Sequence, residues 1–218
     1  MMADAREIKP ELYAQLARIA KVLGNPKRLE LLDLLLQASK PVELLAQEAN
    51  ISVKLTSAHL KELRLARLVN AERRGKQMIY RLASAGIPQF LNAMRNFAQD
   101  RLFELQDALQ HLSKLEGEQY REDRDTLLEK AKAGEMIILD VRPENEFAHA
   151  HLPFAKSIPL NELRKRLHEL PAEIPITVYC RGPYCIMTAD ALQVLKQRGY
   201  AATALKTNVA EWTQFNSQ

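Results

Sequence analysis

Cysteine is scarce in this chain, whose 218 residues include only Cys180 and Cys185. Two thiols cannot supply the disulfide framework of a small secreted domain. No apolar run approaches the roughly 18 residues that cross a bilayer, and the opening MMADAREIKP lacks the apolar core of a signal peptide. The sequence therefore predicts a cytoplasmic protein with reduced thiols and no membrane partner.

The length and composition are those of an ordinary globular protein. Hydrophobic residues make up 47% of the chain and charged residues 27%, which argues against disorder. Because single domains cluster near about 100–150 residues, a chain of 218 residues favours two domains. Neither an internal repeat nor a low-complexity segment is visible.

The modest net charge of +4 conceals a division along the chain. Residues 1–100 hold 16 basic and 10 acidic side chains, a balance of +6, whereas residues 101–218 hold 15 and 17, a balance of −2. Between Ile51 and Leu82, basic side chains outnumber acidic ones by eight to two. A local excess of this kind suits a surface that faces phosphates, although a solvated helix face would give the same counts.

Apolar residues recur at helical spacing through the first 66 residues, which predicts four short helices. The third spans Val42–Ala49, and the fourth runs from Ser52, which can cap it, to about Ala66. Three leucines are expected to face inward on the fourth helix: Leu55, Leu60 and Leu63. Two helices joined by a short turn in this way form a helix-turn-helix unit.

Beyond the fourth helix the apolar period shortens to about 2, which predicts two strands, Val69–Arg73 and Gln77–Leu82. The turn Arg74-Gly75-Lys76 joins them into a basic hairpin, or wing. A helix of this unit fits the major groove of DNA, while the wing reaches phosphates or the minor groove. We predict that three side chains contact base edges: Thr56, Ser57 and His59. Five basic side chains are predicted to hold phosphates: Lys54, Lys61, Arg73, Arg74 and Lys76. Ser52, at the start of the helix, completes the predicted DNA-binding set.

A long amphipathic helix is predicted from Pro88 to Leu115, where apolar residues alternate steps of three and four. The resulting seam suits a partner chain. Residues 113–125 are charged and lack an apolar period, so we predict a linker there. The predicted division is a DNA-binding and dimerisation domain at 1–112, a linker at 113–125 and a second domain at 126–218.

Three segments, Lys21–Leu35, Val42–Val69 and Arg73–Leu82, resemble the ArsR/SmtB family of dimeric bacterial repressors in order and spacing. The resemblance covers about residues 8–110. It implies an α+β winged helix-turn-helix domain that forms a homodimer through its first and its long fifth helix. Such a dimer places two recognition helices on a palindromic operator in double-stranded DNA.

The chain departs from the metal-sensing members of that family. Those members carry cysteines on the helix before the recognition helix, and the corresponding stretch Glu43–Glu48 has none. The predicted long helix offers Asp100, Asp107 and His111, which do not form the carboxylate–histidine pairs that bind zinc in other members. The two cysteines and the nearby histidines match no familiar zinc spacing either, so we predict no metal and no cofactor.

The second half of the chain has a different character. Met136–Val141 and Ile176–Cys180 are short apolar runs typical of buried parallel strands, and a third strand is predicted at Ala202–Leu205. Helical stretches lie between and after these runs. The sequence therefore predicts a small α/β domain with a parallel sheet.

Cys180 ends the second of these strands, and the five residues before the next helix must curl into a tight loop: Arg181, Gly182, Pro183, Tyr184 and Cys185. Together with Cys180 they form the predicted anion-binding loop. Backbone N–H groups in such a loop form a cradle for anions. This cradle is expected to lower the pKa of the Cys180 thiol from about 8.5 and so favour the nucleophilic thiolate. The alternative is that Cys180 is only a small buried hydrophobic residue.

Three further segments, Leu139–Leu160, Val178–Cys185 and Ala210–Trp212, resemble a single-domain rhodanese. The resemblance covers about residues 122–218. It implies that Cys180 accepts a sulfane sulfur as a persulfide, from a donor such as thiosulfate, and passes it to a thiol or cyanide.

The same resemblance implies roles for the neighbouring side chains. Arg181 would help to hold the incoming anion beside the catalytic Cys180, while Asp140 and Arg142 would form a structural pair. Phosphatases and arsenate reductases of this architecture need arginine six residues after the cysteine, and Ile186 stands there. Phosphoryl and arsenate chemistry is therefore not expected.

Several departures leave sulfurtransferase turnover open. Rhodaneses usually show Gly-His-Ile-Pro-Gly-Ala where this chain has Ala150–Ala155, and a glycine pair where it has Thr207-Asn208. Missing glycines can restrict backbone turns around the site. Cys185 stands where the loop often carries a second arginine. It could act as a redox partner that resolves a persulfide or sulfenic acid on Cys180 into a disulfide, or it could simply pack at the helix start.

Both halves together predict a mixed fold: an ArsR-type transcriptional repressor fused to a rhodanese-like domain that senses or transfers sulfane sulfur. The main alternative is a thiosulfate or persulfide sulfurtransferase in which the winged helix serves for dimerisation or tethering. A second alternative makes the rhodanese-like domain an inert interaction module. The DNA hypothesis depends on Ser52–Lys61 and Arg73–Lys76, and the sulfur hypothesis on Cys180–Cys185.

Overall fold

A computed structural model of the protein describes residues 5–207 together with Val209 and Trp212. The chain divides into two compact units, with the boundary between Asn92 and Ala93. Of the sequence features noted above, Asn208 and Ala210-Glu211 lie outside the described residues. No helix in the described part of the chain is both long and apolar enough to cross a membrane.

Four helices open the first unit, with local capping signals at two of their starts. Their bounds are α1 Ala5–Leu23, α2 Pro26–Gln37, α3 Val42–Glu48 and α4 Val53–Leu65. The side chain of Asn25 accepts a hydrogen bond from the Arg28 N–H, and that of Ser52 accepts one from the Leu55 N–H, both at 3.2 Å. These bonds satisfy N–H groups that lack a partner in the first helical turn. The predicted helix-turn-helix is confirmed.

A three-stranded antiparallel sheet completes the first unit. Its strands are β1 Lys40–Pro41, β2 Val69–Arg74 and β3 Gln77–Leu82, in the order β1-β3-β2. Arg74 pairs with Gln77, so Gly75 and Lys76 alone form the turn. Gly75 has a φ of +61°, a conformation that glycine adopts without strain. The predicted wing is confirmed.

The single helix predicted over 88–115 is two helices, α5 (Gly86–Arg101) and α6 (Phe103–Glu116). Leu102 separates them with an extended backbone, φ −106° and ψ 106°. Its N–H still closes the last turn of α5 and its carbonyl accepts from Gln106, so the break leaves both groups bonded. α6 packs against another helix of the second unit, and this tertiary packing overrides the continuous apolar period.

A parallel four-stranded sheet forms the centre of the second unit, in the order β5-β4-β6-β7. The strands are β4 Ile137–Asp140, β5 Lys156–Ser157, β6 Ile176–Tyr179 and β7 Ala202–Ala204. The helices are α7 Arg124–Ala133, α8 Glu144–His149, α9 Leu160–Arg166 and α10 Met187–Gln197. Every residue of β6 is buried, as expected for a central parallel strand. The predicted α/β domain is confirmed.

The segment predicted as a linker, residues 113–125, is ordered. α6 continues to Glu116 and ends at Gly117, whose φ is +76°. The chain then pairs with the edge of the sheet, because Ala204 N–H donates to the Glu118 carbonyl at 2.9 Å and Tyr120 N–H donates to the Ala204 carbonyl at 2.8 Å. Backbone groups make these bonds, so the charged side chains do not prevent them.

Phe154 occupies a backbone conformation that suits glycine. Its φ is +62° and its side chain is 58% exposed, at the position where rhodaneses usually carry glycine. A Cβ in this left-handed region costs about 1–2 kcal/mol. We therefore expect Phe154→Gly to raise the free energy of unfolding by about 1 kcal/mol, after allowance for the greater freedom of glycine in the unfolded chain.

Urea unfolding of the variant beside Phe154→Ala checks this expectation. The alanine variant keeps the Cβ and loses only an exposed ring, so it should show no comparable gain. Equal stability of the glycine and alanine variants would contradict a strained backbone at Phe154.

Candidate functional site

Helix α4 presents most of the groups expected to face DNA, with one correction. Leu60 and Leu63 are fully buried as predicted, whereas Leu55 is 44% exposed. Thr56 takes the inward position instead: it is fully buried, and its hydroxyl donates to the Ser52 carbonyl at 3.0 Å. The prediction of Thr56 as a DNA contact is wrong, because its hydroxyl is bonded inside the unit.

The remaining predicted residues of α4 are accessible. Lys54, Ser57 and Lys61 are exposed and His59 is partly exposed. Ser52 is also exposed, but its side-chain oxygen caps α4. The sequence did not reveal Leu55 as an outward-facing apolar side chain, because a leucine at helical spacing is expected to be buried. An exposed apolar side chain there suits contact with a thymine methyl group.

The wing carries exposed basic groups with different surroundings. Arg74 makes two hydrogen bonds of 3.2 Å to the carboxylate of Glu72, which lowers the pKa of Glu72 and raises that of Arg74. Arg73 Nε donates to the Gly75 carbonyl at 3.2 Å, and Lys76 lies exposed beside it. Arg73 and Lys76 therefore keep their charges unneutralised by the neighbouring acid, while Arg74 shares its charge with Glu72.

The cysteine loop lies between β6 and α10, as predicted. Cys180 follows the last residue of β6 and is only 2% exposed, packed in the hydrophobic core of the second unit. Cys185 precedes α10 and is partly exposed. The Cys185 N–H donates to the Gly182 carbonyl at 3.1 Å, which closes a turn, and Gly182 has a φ of +116°.

The two thiols are in contact, and their pKa values move in opposite directions. The Cys180 thiol donates a hydrogen bond to the Cys185 carbonyl oxygen at 3.8 Å. Burial and the neighbouring Cys185 sulfur raise the pKa of Cys180. The Cys180 thiol and the backbone N–H groups of Arg181 and Met187 lower the pKa of Cys185. The prediction of a lowered pKa at Cys180 is wrong, because burial of this thiol outweighs its hydrogen bonds with Thr188 and the Gly182 N–H.

Arg181 is held by a buried acid. Its Nε and Nη2 donate to both carboxylate oxygens of Glu146, with a shortest distance of 2.6 Å, and Glu146 is fully buried. This pair fixes the guanidinium beside the loop. The anion-binding role predicted for Arg181 stays a prediction, and Glu146 is a partner that the sequence pattern did not reveal.

Asp140 and Arg142 form a second buried ion pair. Arg142 is 1% exposed and Asp140 fully buried, with 2.6 Å between Nη2 and Oδ2. Arg142 also donates from its backbone N–H to Asp140 and from Nη2 to the Ala150 carbonyl. These bonds hold the chain after β4 close to the strand, in keeping with a structural role. Elsewhere among the described residues, no cluster of three or more His, Cys, Asp or Glu could hold a metal ion.

Tyr184, in the middle of the cysteine loop, contacts α5. Gln99 Nε2 donates to the Tyr184 hydroxyl at 2.8 Å, and the Arg95 guanidinium lies 5.3 Å from the centre of the Tyr184 ring. All three residues belong to the second unit, but α5 itself begins at Gly86 in the first. The sequence could not reveal this contact, because it joins residues 85 positions apart without a motif.

Comparisons with known proteins agree with both halves of this description. The model of the bacterial regulatory protein, arsR family, matches residues 25–71, and the model of the rhodanese-like domain matches residues 123–214. An HTH-type transcriptional regulator of Mycobacterium tuberculosis is 34% identical over 211 residues, which cover 97% of this chain and 92% of the relative. A sulfurtransferase of Allochromatium vinosum is 24% identical over 94 residues, 42% of this chain and 86% of that protein.

Among solved structures, a homodimeric winged helix-turn-helix DNA-binding domain from Mycobacterium bovis is 32% identical. It covers 47% of this chain and 94% of its own, with a TM-score of 0.43. The relative from Mycobacterium tuberculosis matches both units together, across nearly the full length of each protein. The chain therefore belongs to the ArsR-type helix-turn-helix transcriptional regulators and carries a rhodanese-like domain as its second half.

Proposed function

We propose that this protein is a homodimeric repressor of a palindromic operator, and that sulfane sulfur switches its DNA binding at Cys180 and Cys185. The sulfur arrives from a small donor such as thiosulfate or a persulfide. Membership of the ArsR-type regulators supports DNA binding, and the rhodanese-like fold with two thiols in its loop supports the sulfur chemistry. The observation that carries the link between them is the contact of Tyr184 with α5.

The switch requires that the state of the loop change the free energy of DNA binding. Joining the two thiols, or adding a sulfur atom to one, changes the space that the loop fills around Cys180, which is 2% exposed. Tyr184 lies within this loop, so a shift of the loop alters its bonds to Gln99 and Arg95. A ligand biases two states only through interactions that differ between them, and these contacts supply such a difference.

Tyr184→Phe tests this link. The change removes the hydroxyl that accepts from Gln99 but keeps the ring, and one hydrogen bond contributes about 0.5–1.5 kcal/mol. We expect the ratio of operator affinities between reduced and sulfur-loaded protein to fall by about fivefold, with an unchanged rate of loading. Operator titrations by fluorescence anisotropy measure the ratio.

Tyr200→Phe is the matched control. Its hydroxyl donates to the carbonyls of Leu167 and Leu170, away from the cysteine loop. This variant should keep the full ratio of affinities. An undiminished ratio in Tyr184→Phe would overturn the proposed route.

Exposed apolar side chains on α1 support the homodimer. Leu12, Tyr13 and Leu16 are 61%, 62% and 67% exposed and share one face of the helix. A cluster of large apolar groups in water marks an interaction surface. We expect Leu16→Glu to convert the dimer into a monomer and to abolish high-affinity operator binding, because burial of a carboxylate in an apolar interface is strongly unfavourable.

Sedimentation velocity at micromolar concentration measures the oligomeric state. Ala14→Glu introduces the same charge on the opposite face of α1 and should remain dimeric. A dimer that survives Leu16→Glu would contradict this assignment of the interface.

The proposed function as a whole is tested by selecting bound sequences from a random DNA pool with the reduced protein. A palindromic consensus bound with salt-dependent, specific affinity is the expected result. The sulfurtransferase alternative predicts weak, nonspecific DNA binding together with thiosulfate:cyanide turnover that disappears in Cys180→Ser. That combination of results would contradict the proposal that the protein is a repressor.

A further inference from the structure

The two thiols of the loop differ in access. Cys180 is 2% exposed and packs among residues of the core, whereas Cys185 is partly exposed just before α10. A donor of the size of thiosulfate must bring its outer sulfur into line with the attacking sulfur. Cys185 is therefore the more accessible of the two residues to a donor in solution.

The groups around the two sulfur atoms also favour Cys185 as the attacking thiol. Backbone N–H groups of Arg181 and Met187 and the thiol of Cys180 all stabilise a negative charge on the Cys185 sulfur, and the Arg181 guanidinium adds to this. Burial raises the pKa of the Cys180 thiol and outweighs the opposing hydrogen bonds from Thr188 and the Gly182 N–H. The proton of this thiol is directed at the Cys185 carbonyl oxygen. The thiolate is the nucleophile in sulfur transfer. The pair therefore has a division of roles, in which Cys185 is the more acidic thiol and Cys180 the less acidic one.

We infer that Cys185, and not Cys180, receives the sulfane sulfur, and that Cys180 then displaces it as sulfide. This inference deepens the proposed sulfur switch and rests on it. The thiolate of Cys185 attacks the outer sulfur of thiosulfate and forms a Cys185 persulfide. The S–S bond of thiosulfate breaks in this step, and sulfite leaves. Cys180 then loses its proton and attacks the Cys185 sulfur, which forms the Cys180–Cys185 disulfide and expels hydrosulfide. Two thiols are oxidised and the sulfane sulfur is reduced, so no other oxidant is needed.

The order of the steps is tested with the full-length protein and thiosulfate, or inorganic polysulfide as a second donor. Peptide mass spectrometry identifies the modified cysteine, and sulfite and sulfide are assayed in solution. Wild-type protein should release one sulfide per chain and lose two hydrogens. Cys180→Ser should hold one added sulfur on Cys185 and release no sulfide, because the resolving thiol is gone.

Cys185→Ser separates this inference from the proposed function. We expect the rate of sulfur loading on Cys180 in this variant to be at least about tenfold lower than the rate of loading on Cys185 in Cys180→Ser. Equal or faster loading of Cys180 would overturn the order of steps while leaving the sulfur switch standing. Absence of added sulfur and of disulfide in every variant would overturn both. Circular dichroism of each variant establishes that the fold is retained.

Two measurements support the test without depending on Cys185→Ser. In the wild-type protein, a substoichiometric pulse of iodoacetamide should alkylate Cys185 first, and preferential labelling of Cys180 would contradict the inference. In Cys180→Ser, where the serine hydroxyl keeps a donor beside Cys185, the loading rate should rise with pH through a midpoint below the ordinary thiol value of about 8.5. A midpoint at or above that value would also contradict it.

Discussion

Replacing Arg73 and Lys76 in the wing by alanine is expected to weaken operator binding by on the order of 100-fold at low salt. In a symmetric dimer the double variant removes four positive charges. Each phosphate contact contributes about 0.9 to the slope of log affinity against log salt, so the slope should fall by about 3 to 4. These two residues are chosen because the third basic residue of the wing, Arg74, is bonded to Glu72.

A titration series from low to moderate salt measures both quantities. The matched control is Lys132→Ala with Lys165→Ala, which removes two exposed charges per chain from the rhodanese-like domain. This control changes the net charge equally, so only contact with phosphate distinguishes the two variants. Equal salt slopes for both double variants would contradict a wing that lies on the DNA backbone.

Arg181→Met is expected to destabilise the rhodanese-like domain by about 3–5 kcal/mol. The guanidinium is 12% exposed and makes its bonds to Glu146, which is fully buried. Its removal takes both guanidinium hydrogen-bond donors from a carboxylate in the interior, and breaking a buried ion pair by removing one partner is strongly destabilising. Replacing both partners, Arg181→Met with Glu146→Leu, should recover most of the loss because neither charge of this pair then remains in the interior.

Urea unfolding followed by circular dichroism measures these differences. Arg164→Met removes an exposed arginine on α9 and should leave the free energy of unfolding nearly unchanged. A single variant no less stable than the double variant would contradict a structural contribution of this pair. Loading rates in the stable double variant then show whether the Arg181 charge also assists the incoming anion.

Local signals predicted the first unit well. The caps at Asn25 and Ser52, and the glycine turn of the wing, involve groups within three residues of one another. Of the three leucines predicted to face inward on α4, Leu55 is exposed, because helical spacing alone does not fix the rotation of a helix about its axis. Leu55 and Thr56 are adjacent, and the observed rotation of α4 differs from the expected one by about one residue, so Thr56 is buried and Leu55 is exposed.

In the second unit, several features depend on contacts between distant segments and could not be predicted from the sequence. Leu102 breaks a continuous apolar period without proline or glycine, because α6 packs within the second unit. The position of the cysteine loop follows from spacing, but the pKa values of its two thiols depend on how deeply each is buried and which groups bond to it. Glu146 and Gln99 reach the loop from distant segments, and no motif records such contacts.

The central claim is that the sulfur state of the cysteine loop controls DNA binding, and one measurement tests it most directly. Operator affinity is determined for reduced and thiosulfate-loaded protein at the same salt concentration, in the wild type and in the variant with both Cys180→Ser and Cys185→Ser. The account predicts that loading weakens binding of the wild type by about tenfold, a coupling of about 1.4 kcal/mol, and leaves the double variant unchanged. Identical affinities of reduced and loaded wild-type protein, with the modification verified by mass spectrometry, would contradict it.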